Sequence, residues 1–250
     1  MSLWLILVAL VVGVMIGAVG IGGLLLVPAI ALLAYLPVQT AMATALLTFI
    51  FTGFLGTFLF HRRGSIDWNI ARPVCAGAAI SGFFGAWANS RIDPHTLIFL
   101  LASVVAVAGL NTGLTRVGQR PPVFSGNPGR QQIVLFWIGA VCGFGSGLTG
   151  VGGPALSVPI LLLFGFSPLS AIGASQVIQI LAAISGTLGN LRYGTIDFQL
   201  AAVLTIVELI GVQLGVHIVH SLNPRTLRSA VAIFCILVSA GLILRSLDIV

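Results

Sequence analysis

Apolar runs fill almost the whole of this chain, and they leave one kind of fold open to it. Eight can be read, at approximately 3–36, 39–60, 70–89, 96–114, 132–166, 169–190, 198–220 and 226–245. About 20 apolar residues in a helix cross the core of a bilayer. Only 6% of the residues are charged and 58% are hydrophobic, against about 25% charged in a soluble domain. A soluble fold of this length could not cover so much apolar surface with a polar exterior. In lipid the demand is different: backbone N–H and C=O groups must be paired internally, as helices do. The expected class is an all-α integral membrane protein, multi-pass in the cytoplasmic membrane.

The net charge of +6 comes from eleven arginines and no lysine. A basic balance can indicate nucleic acid. Here the arginines sit singly or in pairs at the ends of apolar runs, as Arg62 and Arg63, Arg116 and Arg120, or Arg225 and Arg228. That is the placement of membrane-flanking loops. The expected surroundings are lipid, and no nucleic acid is expected as a partner. Cys75, Cys142 and Cys235 each lie inside an apolar run and show no C-x-x-C spacing, so neither disulfides nor a zinc site is implied. The N-terminus lacks the basic region and cleavage site of a signal peptide and is read as mature sequence.

The longest stretch of turn chemistry, residues 115–131, lies near the middle and suggests a duplication. Gly20-Ile21-Gly22-Gly23 matches Gly150-Val151-Gly152-Gly153, and Val27-Pro28 matches Val158-Pro159. Gly56-Thr57 matches Gly186-Thr187, and Arg62-Arg63-Gly64-Ser65-Ile66-Asp67 matches Arg192-Tyr193-Gly194-Thr195-Ile196-Asp197. Gly85 matches Gly215, and Pro94-His95-Thr96-Leu97 matches Pro224-Arg225-Thr226-Leu227. The expected organisation is a first transmembrane repeat at 1–114, a linker at 115–131 and a second repeat at 132–250. If the first segment of each half crosses, the halves run parallel; if it dips in and returns, they are inverted. Arginine counts are equal for the two, because both place Arg62, Arg63, Arg72, Arg116, Arg120 and Arg130 inside. Parallel halves add Arg192 and Arg245, and inverted halves add Arg225 and Arg228. Interrupted helices at matching positions favour inversion.

Residues 3–36 and 132–166 are each too long for one ordinary span, and each carries a glycine cluster near its middle. Glycine weakens a helix and permits positive φ. Each segment is therefore expected to be two half-helices joined by an irregular turn, which lipid tolerates only where it is buried in protein or lines a cavity. The second half-helix of each pair would present free N–H groups and a positive dipole end, suited to an anion. Gly20, Gly22, Gly23, Gly150, Gly152 and Gly153 are the candidate backbone of such a substrate site. Ser146 and Thr149 in the second turn, and Thr44, Thr48, Ser175, Gln176 and Gln179 in the next segment of each half, are candidate side-chain ligands. The alternatives are close helix packing through glycine and interhelical hydrogen bonds from the hydroxyls and amides. Glu208 is the one acidic residue deep in an apolar run. An intramembrane carboxyl is costly and by default functional, so it is the candidate carrier of a coupling proton; the alternative is a structural carboxyl bonded to a neighbouring helix. Asp67 and Asp197 precede the third segment of each half and are expected to cap helices.

The duplicated motif resembles the sulfite exporter TauE/SafE family, also called the 4-toluene sulfonate uptake permeases. The resemblance is carried by Gly17-Ala18-Val19-Gly20-Ile21-Gly22-Gly23 with Val27-Pro28 and by Gly147-Leu148-Thr149-Gly150-Val151-Gly152-Gly153-Pro154 with Val158-Pro159, and the repeated Gly-x-Ile-Asp loop supports it. It implies a carrier of sulfite, sulfonates, sulfoacetate or thiosulfate. No nucleotide-binding motif is present, so the expectation is a secondary transporter of a small sulfur-containing anion with proton coupling. A passive anion channel, or a transporter of a different small solute, is the alternative. There is no Ser-His-Asp arrangement, H-E-x-x-H or acidic cluster, so no enzyme activity, cofactor or metal is expected. A homodimer is an open possibility.

Overall fold

The computed structural model describes residues 3–20, 22–93, 122–124 and 126–221, with isolated positions between 96 and 110 and between 223 and 240. The expected segments at 96–114 and 226–245, most of the linker, and Cys235 lie outside the described residues. Those described contain eight helices and no strand: α1 (Leu3–Val19), α2 (Gly23–Leu33), α3 (Val38–Arg62), α4 (Trp68–Asn89), α5 (Pro128–Thr149), α6 (Gly153–Leu163), α7 (Pro168–Tyr193) and α8 (Phe198–Ser221). Four of them, α3, α5, α7 and α8, are long and apolar enough to span a bilayer.

Helix starts follow local chemistry. Asp67 accepts a hydrogen bond from Asn69 N at 2.9 Å, and Asp197 Oδ1 accepts one from Leu200 N at 2.9 Å. Both aspartates thus cap helices, as expected. Asn127 caps α5 by accepting from Arg130 N at 3.2 Å, and Pro128 opens the helix. This cap starts α5 four residues before the apolar run at 132, because a proline with a preformed φ suits the first turn.

Close contacts set the helix directions. Gly13 lies against Glu208, and Gly17 against Val212 and Val216, so α1 and α8 run parallel. Gly77 lies against Phe136 and Ala140, and Gly85 against Phe144 and Leu148, so α4 and α5 are also parallel. Helices α3 and α7 are antiparallel: Gly56 meets Gln176, Gly53 meets Ile180, and Thr40 Oγ1 is 2.7 Å from Thr195 Oγ1. Helix α7 is the most enclosed and touches α3, α4, α5 and α6.

Two helical hairpins enter this bundle. Gly22 lies against Val12 and Ile16, so the chain turns back after α1. Leu33 to Leu36 then lie beside Asp197, Leu200 and Val203, at the end where α8 and α1 begin. Likewise Leu156 of α6 lies beside Gly145 of α5. Phe164 O accepts from Val123 N at 3.0 Å, and Val123 O accepts from Gln131 Nε2 at 2.9 Å, so α6 returns to the end where α5 begins.

Large apolar side chains face outward in stripes at helical spacing, such as Phe51, Phe54 and Phe58 on α3 and Ile206, Ile210, Leu214 and Ile218 on α8. Such stripes suit a lipid boundary. Inside, small residues let backbones touch. The α4–α5 seam depends on this: a side chain at Gly143 would meet the Ala78 backbone and the Ser81 hydroxyl. Gly143→Val is expected to cost about 1–3 kcal/mol by overpacking, read as a lower melting temperature in detergent. Gly129→Ala, where a Cβ meets nothing closer than Asn127 Oδ1 at 3.7 Å, is expected to leave it unchanged.

Candidate functional site

The two interruptions lie against each other. Helix α1 stops at Val19, and Gly20 takes φ +79° while donating to Met15 O and Ile16 O at 3.0 and 3.1 Å. Helix α5 stops at Thr149, and Gly150 takes φ +66°, ψ +10°, donating to Ser146 O at 2.8 Å. This left-handed close is one that glycine adopts at little cost. Gly152 follows with φ +87°, ψ +147°, a conformation essentially confined to glycine. Pro154 then occupies the first turn of α6.

Gly23, the first residue of α2, packs directly on the Val151 carbonyl of the other interruption, and the Phe49 ring lies beside both Gly23 and Gly152. A Cβ on Gly20 would come within 3.2 Å of Ser175 Oγ and 3.5 Å of Pro154 Cβ, and one on Gly153 would meet Ile178 and the Gln179 backbone. Gly20, Gly22, Gly23, Gly150, Gly152, Gly153 and Ser175 therefore share one buried region, walled by α3 and α7. The remaining glycines of the two clusters serve otherwise. Gly13 and Gly17 press against α8, Gly143 and Gly147 against α4, and Gly145 against Leu156 of α6, so packing accounts for them.

The polar residues divide by what they bind. Gln179 Nε2 donates to Phe49 O at 3.0 Å and to Thr52 Oγ1 at 2.8 Å, tying α7 to α3. Gln176 Nε2 donates to Ile16 O at 3.0 Å and holds the last turn of α1, while its amide fills the space that Gly56 leaves open. Ser175 and Thr149 return their hydroxyls to Ile172 O and Gly145 O. The Thr44 hydroxyl accepts from Asp197 N at 3.0 Å, tying α3 to the start of α8. Ser146 is fully buried and its hydroxyl has no hydrogen-bond partner among the described residues.

Ser157, on the second turn of α6, was not singled out by sequence, yet it is equally buried and equally unpartnered. Asn89, also missed, donates to Leu148 O and to Met42 Sδ at 3.2 Å, bracing the end of α5.

Glu208 is fully buried where α8 packs on α1 and α3. It faces Thr48, whose hydroxyl is given to Ala45 O at 2.9 Å, and neither carboxyl oxygen has a hydrogen-bond partner among the described residues. All described arginines are exposed, so none neutralises it. Among the described residues, no group of three His, Cys, Asp or Glu side chains could hold a metal.

The family model for "Sulfite exporter TauE/SafE" matches residues 5–242. The chain belongs to this family. Curated relatives match along nearly their whole length. The probable membrane transporter protein YdhB of Bacillus subtilis (strain 168) is 26% identical, over 96% of this chain and 98% of its own. YunE of the same organism, also a probable membrane transporter protein, is 25% identical over 96% of each chain. A probable membrane transporter protein of Haemophilus influenzae is 26% identical over 96% of this chain and 97% of its own. No solved structure matches. The TauE/SafE membership makes this a multi-pass membrane transporter of the cell membrane, working on a small substrate within lipid.

The Gly56–Gln176 contact is open to a double-mutant cycle. Gly56→Ala is expected to cost about 1–3 kcal/mol by overpacking. Combined with Gln176→Ala the total should fall below the sum of the single effects, since the two share one space. Melting temperatures of the four proteins in detergent check this.

Proposed function

We propose that the chain is a secondary transporter that moves a small sulfur-containing anion, of the sulfite, organosulfonate or thiosulfate class, across the cytoplasmic membrane. The observation that carries this is the meeting of the two interruptions, with Gly23 on Val151 and the start of α6 beside them. The opening turn of a helix has N–H groups without intrahelical partners and a positive dipole end, which favour an anion. Ser146 and Ser157 add buried hydroxyls free to donate. Gly20, Gly22, Gly23, Thr48, Thr149, Gly150, Gly152, Gly153 and Ser175 form the rest of the wall in this reading, and Gln176 and Gln179 hold it in place. Dipoles and neutral donors bind an oxyanion without the deep trap of a buried arginine, so it can leave on the other side. The sulfur class rests on the family description and on the fit of an oxyanion to such donors.

The same reading treats 1–114 and 132–250 as two repeats of opposite orientation, joined by 115–131. Its support is that the hairpins open from opposite ends of the bundle, and that α3 and α7, which match in sequence, run antiparallel. The ends differ in charge, with Arg62, Arg63, Arg72 and Arg130 at one and Arg91 and Arg192 at the other. The positive-inside rule assigns the first to the cytoplasm. Glu208, an intramembrane carboxyl without an arginine partner, is the proposed carrier of a coupling proton.

Uptake of sulfite, thiosulfate and sulfoacetate into proteoliposomes tests the site. Saturable uptake is expected, and Gly152→Val and Gly22→Val should reduce it to background while the proteins still insert. Wild-type rates in both variants would mean the site lies elsewhere. Glu208→Gln should abolish the response of uptake to an imposed proton gradient; an unchanged response would eliminate Glu208 as the carrier.

A further inference from the structure

The two ends of the bundle differ in one respect that the glycine site does not explain. At the arginine-poor end a cleft of about 350 Å³ opens between α3, α4 and α7. Its polar lining includes Thr40, Asn89, Ser90, Asn190, Tyr193 and Thr195, with no ionised side chain among them. Its floor is close to the glycine site, because buried Asn89 also holds Leu148 O, two residues before Gly150.

The sequence register that matches Arg63-Gly64-Ser65 to Tyr193-Gly194-Thr195 and Gly85 to Gly215 also gives five residues of this cleft a counterpart. Tyr193 and Thr195 correspond to Arg63 and Ser65, Asn190 to Phe60, Ala86 to Val216, and Ser90 to His220. At the arginine-rich end those counterparts are bound to one another. Arg63 Nη1 donates to Val216 O and lies 2.8 Å from His220 Nδ1, and Ser65 Oγ lies 2.9 Å from His220 Nε2. The Phe60 ring is fully buried with its centroid 5.0 Å from the His220 ring, where Asn190 leaves room at the other end. The Ser65 carbonyl closes directly on Gly173 of α7. One end is latched through Arg63 and His220 and filled by Phe60; at its counterpart Thr40 and Thr195 meet at 2.7 Å, and a cleft stays open beside them.

We propose that Arg63, Ser65, His220 and Phe60 are a closed gate on the arginine-rich side, and that the uncharged polar cleft opposite is the open access site through which a small oxyanion reaches the glycine interruptions. Asn89, Ser90 and one hydroxyl of the Thr40–Thr195 pair spend their donors within the protein; the donors of Asn190, Tyr193 and the other hydroxyl of that pair suit a small, hydrated oxyanion and offer no counter-charge that would retain it. The proposal rests on the paired-repeat transporter reading. In that reading opening one end requires closing the other, so the latch sets which end is open.

The test is cysteine accessibility in the full-length protein in detergent, with Cys75, Cys142 and Cys235 replaced by alanine and a charged methanethiosulfonate as the reagent. Thr195→Cys reports on the cleft and Val216→Cys on the space behind the latch. Thr195→Cys is expected to react at least about tenfold faster than Val216→Cys. Arg63→Ala should raise the Val216→Cys rate and lower the Thr195→Cys rate, each by about threefold or more, as a population shift between the two states requires. Ser65→Ala, a milder change that keeps the charge, should move both rates the same way. Equal starting rates, rates unmoved by either substitution, or a rise at Val216→Cys with no fall at Thr195→Cys would overturn the gate. The labelling needs no substrate. If no sulfur anion is transported but both rates shift as described, the substrate reading fails and the gate stands; transport with unmoved rates gives the reverse.

Discussion

An irregular stretch of backbone inside a bilayer leaves N–H and C=O groups unpaired, at a cost of several kcal/mol each in hydrocarbon. This chain breaks its helices twice, at Gly20 and Gly22 and at Gly150–Gly152, and the rest of the bundle encloses both breaks. The enclosure is reciprocal. Each interruption covers the other through Gly23 and Val151, while α3 and α7 close the sides with Phe49, Ser175 and Gln179. Gln176 reaches the Ile16 carbonyl at the last turn of α1. A helix start that would be unfavourable in lipid is thereby kept away from lipid.

Such enclosure requires very close helix contact, which small residues permit. The α1–α8 and α4–α5 pairs both approach through glycine on both helices, as in Gly17 with Gly215 and Gly82 with Gly147. In lipid, helices gain no hydrophobic driving force from meeting, so packing and hydrogen bonds must hold them. The close-packed parallel pairs and the two short hairpins thus do different work. The pairs form the wall, and the hairpins place backbone dipoles in the interior.

The hydropathy runs located the described helices to within a few residues, because the bilayer fixes length and polarity together. Asp67 and Asp197 were legible as caps because capping is local chemistry. The glycines were legible as a group and not individually. Gly17 and Gly20 look alike in sequence, since both exploit a missing Cβ, one for a helix contact and one for a positive φ. Partner choice was not legible at all. That Gln176 fills the space left by Gly56, or that Ser157 turns inward on a folded-back helix, depends on tertiary directions that no local pattern encodes. Asn89 was missed for the same reason, its partners being Met42 and Leu148.

The central claim is that the paired interruptions bind an anion. The most direct measurement is the melting temperature of the purified protein in detergent, titrated with sulfite, sulfate, thiosulfate, sulfoacetate, taurine and chloride, for wild type and Gly152→Val. A ligand that binds the folded state stabilises it by about 2.7 kcal/mol at a hundred times its dissociation constant. The account predicts a saturable rise with at least one sulfur oxyanion that Gly152→Val abolishes. No rise with any of these anions, or a rise of the same size in Gly152→Val, would contradict it.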